Sequence, residues 1–146
     1  MAGKKIIKFE IATLERVVLK QDVLQVTVPT KAGEITVLPD HIPLVSILKP
    51  GIIELKTIDD KIDIISISGG FIEVLRDKIV ILADSAERAA ELDENRIKAA
   101  KERAKEAREK AEKEGHYDFS AVAARLEVET AREKALYKWR KLKNIK

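Results

Sequence analysis

IISISGGFIEVLRDKIVILADSAERAAELDENR, residues Ile64 to Arg96, changes its hydrophobic period halfway along. Upstream of it, apolar residues fall in short, β-branched runs. Downstream, they recur every three or four residues. The first pattern is that of strands and the second that of amphipathic helices. Gly69-Gly70 punctuates the strand side, while Asp84 and Asp93 are both suitable helix starts on the other side. The chain is therefore read as α+β, with a β-sandwich over 1–84 and an α-helical hairpin over 85–146.

Working back toward the start, Ile6 to Ile11, Arg16 to Lys20 and Val23 to Val28 read as three strands. The cluster Pro29-Thr30-Lys31-Ala32-Gly33 ends the third with a turn. Glu34 to Leu38 is a short strand stopped by Pro39. Pro39-Asp40-His41-Ile42-Pro43 is a rigid loop, since each proline fixes its own φ and turns its neighbour away from helix. Pro50-Gly51 is a turn. Ile52–Ile58 and Ile62–Ile67 flank Asp59-Asp60-Lys61 as a hairpin, and Phe71–Leu75 and Ile79–Ala83 follow. Some nine short strands with regular turn signals predict a sandwich or flattened barrel.

Working forward, Asp84-Ser85-Ala86-Glu87 has the form of a capping box, which predicts a helical turn near Glu87–Glu91. Asp93 caps a long helix to Glu114, and Gly115 ends it. His116-Tyr117 is the link, and Asp118 caps a second helix toward Lys143. The first helix presents Ile97, Ala100, Ala104, Ala107 and Ala111. The second presents Ala121, Ala124, Val128, Ala131, Ala135, Trp139 and Leu142. Both sets suit an antiparallel seam. A seam made mostly of alanine gains only about 0.8 kcal/mol per buried carbon. The hairpin is expected to be weakly closed, and a mobile element.

Composition narrows the function classes. Among 146 residues there is no cysteine, which excludes disulfides and thiolate metal sites. No apolar run approaches the roughly 18 residues of a membrane span, and no secretory signal is expected behind Lys4-Lys5. Aromatic residues are only 4% of the chain, so aliphatic side chains must fill the core. Abundant Lys and Glu fit a thermophile, as they fit long exposed helices. Residues 1–86 carry 11 Lys and Arg against 12 Asp and Glu, whereas residues 87–146 carry 17 against 13. An acidic partner would therefore meet the helical half.

PTKAGEITVLPDHIPLVSIL (Pro29–Leu48), Pro50-Gly51, SGGFIEV and ILADSAERAAELD, in that order, resemble the epsilon subunit of F-type ATP synthases. The likeness covers nearly the whole chain. It implies about ten strands and a helical hairpin. It implies a rotor role, in which the sandwich grips the gamma subunit and stands on the membrane-embedded proton-carrying ring. In many bacterial relatives the hairpin rises toward the alpha/beta catalytic head and brakes ATP hydrolysis. The resemblance further implies a non-catalytic subunit at the cytoplasmic face of the membrane, with no nucleic acid and no insertion into the bilayer.

By position, Glu34 matches a family residue close to the ring, and His41 one close to gamma. Asp40 stands where a glycine is usual, and Thr36 replaces another. The family's ATP motif on the closed hairpin matches Leu92-Asp93-Glu94-Asn95-Arg96, with Ile97 in place of alanine. Glu87, Arg103 and Arg132 match its accessory positions, and the remaining arginine falls on Val128. A regulatory ATP is thus implied, with Glu87, Asp93, Arg96, Arg103 and Arg132 as its residues. Partner contacts are assigned to Glu34, His41, Arg125, Lys138, Arg140 and Lys141. The basic tail Lys134, Lys138, Arg140, Lys141, Lys143, Lys146 is expected to meet acidic residues of the catalytic head.

Other readings compete. The arginine stripes also read as a solvated face supported by pairs such as Glu94/Lys98. Trp139 beside Arg140 in a basic arm raises a nucleic-acid adaptor, which the lack of interleaved aromatics disfavours. His41 has no nucleophile or metal-ligand partner, and no nucleophile–base pair supports a hydrolase. Gly69-Gly70 precedes no lysine-serine pair or helix, so turn geometry accounts for it.

Overall fold

The computed structural model describes residues 3–115 and 119–144. Nine strands form one hydrogen-bonded sheet that folds back on itself. They are β1 (Ile7–Ala12), β2 (Val17–Thr30), β3 (Gly33–Val37), β4 (Leu44–Leu48), β5 (Gly51–Thr57), β6 (Ile62–Ile67), β7 (Gly70–Val74), β8 (Lys78–Ala83) and β9 (Ala86–Arg88). The helices α1 (Glu94–Glu114) and α2 (Phe119–Leu142) follow. Among the described residues, no helix is long and apolar enough to cross a membrane.

The two strands expected over 16–20 and 23–28 are one strand, β2. Its first half pairs with β1, from Ile7↔Val23 to Ala12↔Val17. Its second half pairs with β5 and β3, as in Val26↔Leu55 and Val26↔Val37. The register shifts between Val23 and Gln25. A bulge there bends the strand so that one chain serves both layers. Counted once per layer, β2 brings nine strands to the ten expected from the resemblance. The strand also runs through Pro29, opposite Glu34, to Thr30, further than the turn cluster predicts. β4 occupies the stretch between Pro43 and Pro50, where the sequence pattern predicts no strand.

Between the layers lies an aliphatic core. Ile7, Phe9, Ile11, Val26, Ile53, Leu55, Ile65, Ile72 and Ile81 are all at most 1% exposed. Alternation explains which side each residue takes. β6 is buried on both faces: Ile65 and Ile67 join the main core, while Ile62 and Ile64 face the helices.

At the joint, the capping box does not form. Asp84 N donates to Gly69 O at 3.0 Å, and Ser85 N donates to Ser68 Oγ at 2.8 Å. These bonds extend the chain, and Ala86–Arg88 pairs with Ile65–Ile67 of β6. The sheet thus continues past residue 84. Only Ala89–Glu91 turns, as a single 3-10 turn. Asp93 does cap α1: its Oδ1 accepts from Asn95 N at 2.9 Å and Arg96 N at 3.3 Å. Gly115 closes α1 at φ 69°, a left-handed conformation suited to glycine. The expected link His116-Tyr117 and cap Asp118 lie outside the described residues.

The seam differs from expectation on α2. Ile97, Ala104 and Ala111 are buried on α1, but Ala107 is exposed. On α2 the buried residues are Val122, Glu129, Ala131, Ala135 and Leu136, whereas Ala121, Ala124 and Leu142 are exposed. A single stripe cannot serve two neighbours. Ala135 and Trp139 turn to the sheet and pack with Ile52, Ile62, Ile64, Ala89 and Leu92. The hairpin thus lies folded against β5 and β6.

Candidate functional site

The five residues assigned to the nucleotide, of which Glu87 lies in β9, converge. Glu87, Asp93, Arg96, Arg103 and Arg132 all line one cleft of about 610 Å³. Its walls come from the end of the sheet, the start of α1 and the middle of α2. Asp93 fixes the first turn of α1. Arg96 and Arg103, seven residues apart, then fall on the same helix face. Arg132 reaches across from α2. Its Nη2 donates to Glu87 Oε1 and its Nη1 to Glu129 Oε1, both at 2.6 Å. Charge-assisted bonds of this length are the strong kind. Neither Arg96 nor Arg103 has an ion-pair partner among the described residues.

Ile97, where the motif has alanine, is 5% exposed and sits in the helix seam as well as at the cleft. Val128 is half-buried and does not line the cleft. Sequence reasoning missed Glu129. Its signal was its spacing: Val122, Glu129 and Leu136 are seven apart and form the stripe that faces α1. A carboxylate at such a position is a departure worth reading.

The contact residues scatter. Lys138 pairs with Glu54 on β5. Arg140 Nη1 bonds Glu94 Oε2 at 2.7 Å, tying α2 to α1. That hydrogen bond, then Lys98, holds the Glu94 carboxyl below its ordinary value. Arg125 and Lys141 are exposed, with no ion pair among the described residues. Lys146 lies outside the described residues. Trp139 packs on the sheet, so it is not offered for stacking. Glu34 is exposed at the start of β3, away from the cleft. His41 Nδ1 lies 2.7 Å from the Ile42 carbonyl, and the His41 backbone N–H donates to Leu38 O at 3.2 Å.

Both glycine replacements have an account. Asp40 adopts φ 64°, a left-handed geometry that explains why glycine suits the position. Lys5 hydrogen-bonds its side chain and holds its carboxyl below the ordinary value. Thr36 faces Thr27 across the strands with their hydroxyls 2.9 Å apart, a cross-strand pair that glycine cannot make.

A second surface was not singled out from the sequence. On the outer side of β4, β7 and β8, Ile47, Phe71 and Leu82 form one cross-strand row. They are 45%, 56% and 60% exposed, and Val45 beside them is 72% exposed. A row of large apolar side chains in water marks a docking surface.

Comparison with known proteins agrees with this architecture. Residues 6–89 match the family model for the ATP synthase delta/epsilon chain β-sandwich domain. The ATP synthase epsilon chain of Roseiflexus sp. (strain RS-1) is 50% identical over 95 residues, which are 64% of this chain and 67% of that one. The epsilon chain of Dichelobacter nodosus is 45% identical over 91 residues, 62% and 64% of the two chains. A chain in the Euglena gracilis mitochondrial ATP synthase OSCP/F1/c-ring structure superposes with a TM-score of 0.74 at 28% identity. It covers 90% of this chain and 82% of its own length. A fold in which β2 serves two layers, a hairpin folded on β6 and a match over most of the sheet lead to one assignment: the chain belongs to the ATP synthase delta/epsilon chain family.

Proposed function

We propose that this chain is the epsilon subunit of an F-type ATP synthase, a non-catalytic part of the central stalk. It couples proton translocation to ATP synthesis by holding other proteins. The observation that carries this reading, beyond family membership, is the exposed row of Val45, Ile47, Phe71 and Leu82. Such a row fits a protein partner, and the gamma subunit is the one proposed. The end of the sandwich near Glu34 stands on the proton-carrying ring. The complex is attached peripherally at the cytoplasmic face of the membrane.

In this reading the hairpin brakes ATP hydrolysis when it leaves the sheet and meets the alpha/beta head, and Arg125 and Lys141, exposed and without an ion pair among the described residues, are cations available for that contact. A regulatory ATP sits in the cleft of the closed hairpin. What supports it is the convergence of three guanidinium groups on that cleft, two of them without an ion-pair partner among the described residues. Arg96 and Arg103 suit the phosphates, while Arg132 keeps the walls together.

The test is reconstitution with alpha, beta and gamma subunits. The full chain is expected to bind the complex and lower its ATPase rate. A chain ending after Glu91, which keeps all nine strands, is expected to bind but not to inhibit. Failure of the full chain to bind would sink the reading.

A further inference from the structure

The cleft contains one group that the ion pairs leave unexplained. Glu129 is 8% exposed and lines the cleft. Its Oε1 accepts from Arg132, but its Oε2 is buried without a hydrogen-bond partner. A buried carboxylate oxygen left unpaired is costly and calls for a donor. Arg132 gives its Nη1 to the other Glu129 oxygen and its Nη2 to Glu87, and none of its N–H groups reaches Oε2. A bound metal ion is a poor candidate, because the described residues contain no cluster of three or more acidic or histidine ligands. A donor carried by the cleft's ligand remains.

The same cleft has Arg96 and Arg103 available for anions. Its ligand therefore has two unlike ends: one polyanionic, and one uncharged but rich in N–H. A phosphate group set against Glu129 would be repelled, which fixes the direction in which such a ligand lies. We propose that Glu129 is a specificity-determining residue that accepts the exocyclic amine of an aminopurine nucleotide, with the phosphates directed to Arg96 and Arg103. The last side-chain torsion of glutamate is soft, so Oε2 can turn toward the ligand while the carboxylate stays on Arg132. This inference rests on the nucleotide reading of the cleft and adds to it the part of the ligand that Glu129 reads.

The experiment is calorimetric titration of the full chain with ATP, with purine riboside triphosphate and with inorganic tripolyphosphate. Purine riboside triphosphate differs from ATP only in lacking the exocyclic amine. The wild-type chain is expected to bind ATP about tenfold or more tightly than the amine-free nucleotide, as befits a hydrogen bond to a charged group. Tripolyphosphate is expected to bind more weakly than either. In Glu129→Gln, Arg132 takes the amide oxygen and the amide N–H2 is left toward the ligand. Two donors then face each other, and the preference for ATP should fall to within about twofold. The wild-type ratio decides the matter even if the variant fails to fold. Equal binding of ATP and the amine-free nucleotide would overturn the role of Glu129 while leaving a nucleotide site. No binding of any nucleotide would overturn the site and this inference together.

Discussion

Gly70 shows how far a single residue can constrain the sheet. Its φ is 142°, and a Cβ placed on it would lie 2.2 Å from the Leu82 carbonyl oxygen. The obstacle is backbone, which cannot step aside. A turn was expected at this glycine, but the actual need is close approach of β7 to β8. Gly70→Ala is therefore expected to destabilise the chain by about 3 kcal/mol or more, combining a strained φ with a clash. Urea unfolding would read this as a lower midpoint at an unchanged slope. Arg132 is the second such residue. Arg132→Ala leaves Glu129 buried with both oxygens unpaired, and removing one partner of a buried pair costs about 3–5 kcal/mol. Because the charge is buried only while the hairpin is closed, the expected result is opening. Amide exchange in α2 should rise with little change in β1, β7 or β8. Equal protection in variant and wild type would show that Arg132 does not hold the hairpin.

Among the elements, the hairpin is joined to its neighbours by charge as well as by packing. Arg140 joins Glu94 across the two helices, and Lys138 joins Glu54 on the sheet. Glu94 has its carboxyl lowered, first by the Arg140 hydrogen bond. A carboxyl whose folded value lies below its unfolded value of 4.5 contributes stability above that value. The contribution is lost as pH falls through the lower, folded value. The pairing of α1 with α2 should accordingly loosen below about pH 4.5, and Glu94→Gln should flatten that part of the pH profile. Helical circular dichroism across pH 2 to 6 would show it, and identical profiles would refute it. This scale also shows what the sequence could reveal. The swap from period two to period three or four marked the sheet and both helices, and IDIISI in β6 carried apolar residues on both faces. Asp93 and Gly115 were legible because caps are local. β9 was not, since the partners that make Ala86–Arg88 a strand are distant in sequence: Ser68, which bonds Ser85, Asp63, which bonds Arg88, and Ile65–Ile67 of β6. Nor was the second stripe of α2, because alanine looks the same whichever neighbour it faces. The cleft was legible only through the family motif, and Glu129 matched no part of it.

The whole molecule is a sandwich with one large core and a hairpin attached through a small one. The sandwich core gathers apolar residues from all nine strands. The attachment rests on Ile52, Ile62, Ile64, Ala89, Leu92, Ala135 and Trp139. Of these, Trp139 offers the largest apolar surface, and truncating a packed aromatic side chain costs about 3–5 kcal/mol in a full core. The sandwich does not depend on it. Trp139→Ala should therefore shift the hairpin toward the lifted state while the sheet stays folded. In the reconstituted complex this has a definite sign. Phe71→Glu, on the opposite surface, should abolish binding to gamma and with it any effect on the ATPase. Trp139→Ala should bind as well as the wild type and inhibit more strongly, because the arms start free of the sheet. A Trp139→Ala chain that binds normally but inhibits less would mean that Trp139 acts in the lifted state too, and the view of it as a latch alone would fall.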